Sequence, residues 1–155
     1  MSFPLGDFIA KGSYREVYAH RDNPEWVVKV QRQPYYVSNN REFIIWNTCF
    51  ELRPWLVPVI TISCDKQHLI MVRGVSLKEL KTTCPTKRQM PACFEDTGTS
   101  NWVMIQGKRR FCDYAQEKMM INIFGDDIQV DNRRQYFNDG TKKPQKRVDK
   151  RRNKL

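Results

Sequence analysis

Asp96 and Asn101 stand five residues apart across the glycine-containing stretch "FEDTGTSN", and Asn101 leads directly into "WVMIQGKRRFC", a run that ends at Asp113. A hairpin turning at Gln106-Gly107 sets Ile105 opposite Lys108 and, counting back, Asn101 opposite Cys112. Asn101 and Asp113 then emerge side by side at its open end. An amide and a carboxylate held together are oxygen ligands suited to Mg²⁺ alongside a nucleotide phosphate. Asp96, a loop away, is placed to take a proton from an attacking hydroxyl. The same Asp-x₄-Asn spacing recurs at Asp127 and Asn132. No hairpin ending in an aspartate follows that copy, which reads as a solvated loop.

Upstream, Lys29 is the single charge inside the apolar run "WVVKV". A strand lysine facing a core is costly unless paired or bound to phosphate, although an outward-facing lysine on an alternating strand needs neither. Glu42 is a candidate ion-pair partner, and equally a capping-box glutamate at the start of a helix. Earlier still, "IAKGSYREV" reads as a phosphate-binding loop or as a plain hairpin turn, with Gly12 and Ser13 at its tip and Val17 at its close.

The elements that must position these residues follow from turn signals and periodicity. "GSYREVYAH" and "EWVVKVQ" are β-rich runs around the turn cluster "RDNP", and so form a hairpin. "NNREFIIWNTCFEL" carries apolar residues at 43, 46 and 50, with 44 and 45 besides, and predicts a helix capped by Ser38 or Asn39. "RPWLVPVITIS" and "QHLIMVRG" predict two further strands around "CDK", giving β-β-α-β-β and an α+β fold class. "SLKEL" predicts a short helix capped by Ser76, and residues 116–137 a helix plus loop. Met119 and Met120 are assigned to packing.

In this order of parts the chain resembles the protein kinases. The family's parts are a glycine-rich loop, a strand lysine, a helix glutamate, a catalytic loop and a metal-binding aspartate. "IAKGSYREV" resembles the loop, with Gly12 at its middle glycine and Val17 as its closing valine, and Ser13 beside them. "WVVK" resembles the lysine strand, implying Lys29 on the α- and β-phosphates of ATP, with Glu42 as its helix partner. "FEDTGTSN" resembles the catalytic loop, implying Asp96 as base and Asn101 as a metal ligand. "CDYA" resembles the metal motif, implying Asp113 as the main Mg²⁺ ligand. "MVRG" would be the hinge beside adenine, which implicates Met71, Val72 and Gly74.

The resemblance spans residues 5–115, with departures. Ala10 and Arg15 replace two loop glycines, which leaves fewer free amides near phosphate. Glu95 replaces the catalytic-loop arginine, Ala115 replaces the last glycine of the metal motif, and only 21 residues separate Gly74 from Asp96. The expectation is a kinase-like N-lobe, an antiparallel sheet with one helix over about residues 1–74. A strongly truncated C-lobe would follow over about residues 75–140. Such compact chains are similar to Ser/Thr kinase-like proteins encoded by tailed bacteriophages, which implies phosphorylation of host proteins, or of itself, in the host cytoplasm. The alternatives are a pseudokinase-type module that binds a protein partner, and a basic nucleic-acid-binding protein.

The bulk composition fits one soluble domain. Its 155 residues carry a net charge of +10, of which residues 141–155, "TKKPQKRVDKRRNKL", supply eight basic side chains and one acid. That stretch is nearly devoid of apolar residues and predicts a disordered tail, either solubilising or in contact with nucleic acid or an acidic protein. Five scattered cysteines without a CxxC pair, and two distant histidines, predict reduced thiols, no zinc and a cytoplasmic protein. The longest apolar run, "LVPVITI", is too short to span a membrane, and "MSFPLGDF" does not read as a signal peptide.

Overall fold

A computed structural model describes residues 3–125, an α+β structure built on two antiparallel sheets. Strands β1 (Leu5–Lys11), β2 (Arg15–His20), β3 (Trp26–Gln31), β4 (Val59–Ile62) and β5 (His68–Val72) form the larger sheet, in the order β1-β2-β3-β5-β4. Helix α1 (Ser38–Thr48) crosses between β3 and β4 and packs on β3, β4 and β5. Strands β6 (Val75–Ser76), β7 (Trp102–Ile105) and β8 (Lys108–Phe111) form the smaller sheet, and helix α2 (Glu117–Phe124) follows it. The second Asp-x₄-Asn copy and the basic stretch 141–155 lie outside the described residues.

The expected β-β-α-β-β core is present, joined at its edge by a strand that periodicity does not reveal. Along β1 all residues but Gly6 are exposed, so no apolar–polar alternation marks it. The hairpin of β7 and β8 has the counted register. Ile105 pairs with Lys108 and Trp102 with Phe111, and Gln106 and Gly107 take φ of 50° and 74° as a two-residue turn of mirror-image type requires.

Three local readings are corrected. Helix α1 begins after Val37 with no side-chain cap, because Asn39 and Glu42 are drawn inward. Asn39 donates to the carbonyls of Lys29 (3.1 Å) and Gln67 (2.8 Å), while its own N–H is capped across the sheet by the Gln31 side chain (3.0 Å). The buried stripe of the helix accordingly runs through Glu42, Ile45 and Cys49 rather than 43, 46 and 50, and Phe50 is exposed. "SLKEL" is a turn. Ser76 ends β6, its hydroxyl accepts from the Lys78 N–H, and a single α-turn bond from Leu80 N–H to Ser76 O closes the segment.

The two sheets share one core. Phe94, Trp102 and Phe111 are fully enclosed, with ring centroids 5.0 Å apart for Phe94–Phe111 and 5.2 Å for Trp102–Phe111. Met119 and Met120 from α2 are buried in the same cluster, which places the methionine pair in the core. Behind the core the sheets are stitched together. Leu56 and Phe111 form a parallel bridge, the Val57 N–H donates to Phe111 O (3.0 Å) and the Tyr114 hydroxyl donates to Val57 O (2.9 Å). Arg110 reaches back to the carbonyls of Arg53 and Pro54. The stitching leaves the front of the molecule open.

Candidate functional site

Between the sheets lies a cleft of about 980 Å³ whose lining contains Gly12, Ser13, Val17, Lys29, Met71, Val72, Gly74, Asp96, Asn101 and Asp113. Each of these was picked from the sequence, and sequence separations of up to a hundred residues collapse onto one cavity. Glu42 does not line it but lies directly beneath, fully buried.

Strand register explains the upper wall. Val17 is the cross-strand partner of Lys29, and Arg15 that of Gln31, so these residues share one face of the sheet. Val27, two residues before Lys29 on the same face, adds apolar surface, and Val57 and Val103 add more. On the lower wall Asp96 sits at a left-handed turn (φ 45°) with an exposed carboxylate that takes no hydrogen bond from the described residues. The Asn101 side-chain N–H donates to Asp96 O at 2.7 Å, which leaves its amide oxygen as the remaining polar atom. Its backbone carbonyl accepts the Cys112 N–H at 2.8 Å, the pairing expected from the hairpin count, and Asp113 follows next in the chain.

The centre of the cleft is a four-charge cluster. Glu42 accepts from Lys29 Nζ at 3.1 Å on each oxygen, so the ion pair wins over the capping role. Glu42 also takes a two-pronged contact from Arg15 (2.7 and 2.9 Å) and the Tyr114 N–H (3.2 Å). Arg15 further donates to Asn39 Oδ1 (3.2 Å) and to Asp113 Oδ1 (2.7 Å). Lys29 completes its three donors on the Cys112 carbonyl. Burial opposes the charge on Arg15, yet Glu42 and Asp113 more than compensate and hold its pKa above the ordinary value. Burial likewise works against ionised Asp113, but Arg15 and then Lys29 outweigh it and keep the carboxyl below its ordinary pKa. Burial pushes the Cys112 thiol up to about 11.

Several details narrow what the cleft can offer a ligand. The Gly12 N–H closes a turn onto Arg15 O at 2.8 Å, and a Cβ at Gly12 would meet only that oxygen, at 3.7 Å. The loop glycine is therefore not sterically required. In the segment 71–74, the Val72 N–H goes to Pro58 O (3.0 Å) and the Arg73 N–H to Glu25 O (2.7 Å), so neither is left for a ligand. Gly74 is different, because a Cβ there would lie 2.5 Å from Val103 Cγ2. Only glycine lets the chain cross β7 so closely.

For a divalent cation the fit is partial. Among the described residues no three His, Cys, Asp or Glu side chains converge to hold a metal ion. Asp113 Oδ2 and Asn101 Oδ1 remain as oxygen donors, enough for an ion that takes its other ligands from phosphates and water.

Two members of the site escaped the sequence reading. Arg15 appeared there only as a lost glycine, although its position two residues before Val17 places it on the lysine face. Gln116, which lines the cleft, donates to Asp113 O (3.0 Å), and its buried Oε1 finds no donor among the described residues. No short motif marks it. An α+β chain with a mixed apolar and ionic cleft between two antiparallel sheets is thus the class that fold and site define. No family model and no curated protein matches the sequence.

Proposed function

We propose that the cleft binds ATP and transfers its γ-phosphoryl group to a protein Ser/Thr hydroxyl, as the resemblance to protein kinases implies. The observation that carries this reading is the convergence of the loop, Lys29, the hinge, Asp96, Asn101 and Asp113 on one cavity. Val17, Val27, Met71 and Val103 offer an apolar slot for a flat base. Lys29, held by Glu42, orients the phosphates. Asp96 accepts the hydroxyl proton as the oxygen attacks the γ-phosphorus and the bond to the β–γ bridging oxygen breaks, releasing ADP. Asn101 and Asp113 would hold Mg²⁺, which supplies charge neutralisation at the phosphate oxygens when bound. Positioning and electrostatics carry most of the rate in such a reaction.

Calorimetric titration with ATP in Mg²⁺ tests the binding, and radiolabelled transfer to a protein acceptor tests the chemistry. Wild type is expected to do both, and Asp96→Asn to bind but not transfer. Absence of binding at millimolar ATP would overturn the reading. A second reading, a catalytically inert module that uses this scaffold to bind a partner protein, draws on one observation: Arg15 and Lys29 already place seven hydrogen bonds on protein acceptors without any ligand. Nucleotide binding with no transfer by wild type would favour it.

A further inference from the structure

Arg15 has no part in the catalytic reading above, yet it is a buried and heavily tied charged side chain facing the cleft. Its guanidinium uses four donors on Asn39, Glu42 and Asp113, while its Nε–H has no partner among the described residues. It is only 8 % exposed and lines the cleft. We propose that Arg15 is a built-in cation of the nucleotide site: it neutralises Asp113 through Oδ1, leaving Oδ2 and Asn101 for the metal ion of the transfer step, so that nucleoside triphosphate binding does not depend on a divalent cation. The inference rests on the nucleotide reading of the cleft and adds a role for a residue outside it.

Charge balance is the first argument. Within the cluster Arg15 and Lys29 match Glu42 and Asp113 two against two, and the other charged side chains lining the cleft, Lys11, Arg41 and Arg73 against Glu79, Asp96 and Glu117, also balance, so a triphosphate meets no excess negative charge. Without Arg15 the cluster keeps one cation against two carboxylates, and a cation bridging the polyanion to Asp113 then favours its entry. Permanence is the second. An arginine cannot be deprotonated in a protein, and the fork held by fully buried Glu42 persists whether or not Asp113 is engaged. Exclusion is the third. A metal ion on Asp113 would share its carboxylate with the guanidinium, a like-charge neighbour that weakens metal binding ahead of nucleotide. Divalent dependence is then confined to the transfer step.

The test measures ATP affinity of the full chain by calorimetry, with Mg²⁺ and with excess chelator. Wild type should bind ATP in both buffers with affinities within about fivefold, whereas Arg15→Gln should lose about 10- to 100-fold in chelator alone, the worth of a charge-assisted contact. Arg15→Lys should recover part of that loss. The double variant Arg15→Gln/Asp113→Asn restores one cation against one carboxylate, and should regain metal-free binding. This guards against a merely misfolded single variant. Wild-type binding that collapses in chelator, or an Arg15→Gln variant indistinguishable from wild type there, would overturn the inference while leaving the nucleotide reading intact. No ATP binding in either buffer would overturn the nucleotide reading itself, and this inference with it.

Discussion

Replacing Glu42 by glutamine keeps the size of the side chain and removes the charge on which two buried cations depend. Glu42 accepts five hydrogen bonds, two from Arg15, two from Lys29 and one from the Tyr114 N–H. Breaking a buried ion pair from one side costs roughly 3–5 kcal/mol, because the remaining charge stays desolvated. Arg15 would keep Asp113 and Lys29 would keep the Cys112 carbonyl, so about 3 kcal/mol is expected, against total stabilities of about 5–15 kcal/mol for small domains. Urea unfolding followed by fluorescence reads this directly, since fully buried Trp102 changes environment on unfolding. Arg15→Ala should cost less, because Glu42 then retains Lys29. The double variant Arg15→Ala/Glu42→Gln should be more stable than the sum of the single losses implies, by about 0.5–3 kcal/mol. A Glu42→Gln loss below about 1 kcal/mol, with strict additivity, would refute the view that this carboxylate is the counter-ion of the cluster.

Further outcomes follow from the same geometry. Gly74→Ala drives a methyl group to 2.5 Å from Val103 and should lower stability by about 1–3 kcal/mol, with Val103→Ala in the same chain restoring much of it; thermal unfolding of the three variants decides. Because Asp113 is held below its ordinary pKa of 3.8, it adds stability at neutral pH, and that contribution fades as pH falls below about 4. Unfolding midpoints measured between about pH 2 and pH 7 should therefore show a flatter acid limb in Asp113→Asn than in wild type. Exposed Cys64 should react with a maleimide well before Cys112, whose burial pushes its thiol up to about 11; peptide mass mapping over time would show the order, and early Cys112 labelling would contradict it.

What was legible in the sequence was whatever turn chemistry and strand alternation control. The hairpin register could be counted because two positive-φ residues fix a two-residue turn, and this brought Asn101 to Cys112. The Lys29–Glu42 pair could be named but not decided, because a helix-start glutamate has the same local sequence whether it caps or turns inward. The Gln31 side chain takes the Asn39 N–H while the Asn39 side chain turns to sheet carbonyls, a tertiary arrangement that no local pattern carries. Strand β1 was hidden because an edge strand exposed on both faces has no alternation to read. "SLKEL" has good helix formers but too little length, and its one α-turn ends where the chain leaves for the loop. Arg15 stands where a phosphate loop has a glycine, so no motif marks it. Its alternation with Val17 pointed to the cleft.

The bond from Arg15 to Asp113 spans 98 residues of chain. Contacts of such span form late, because the loop they close must be ordered first. During synthesis from the N-terminus, Arg15, Lys29 and Glu42 emerge long before Asp113, Cys112 and the Phe111 bridge that finish the cleft. The larger sheet alone therefore carries an excess positive charge on the face of Arg15 and Lys29 until the second hairpin arrives. Completion of the site and completion of the fold are one event, and a chain cut before residue 113 would have the loop and the lysine but no closed cleft.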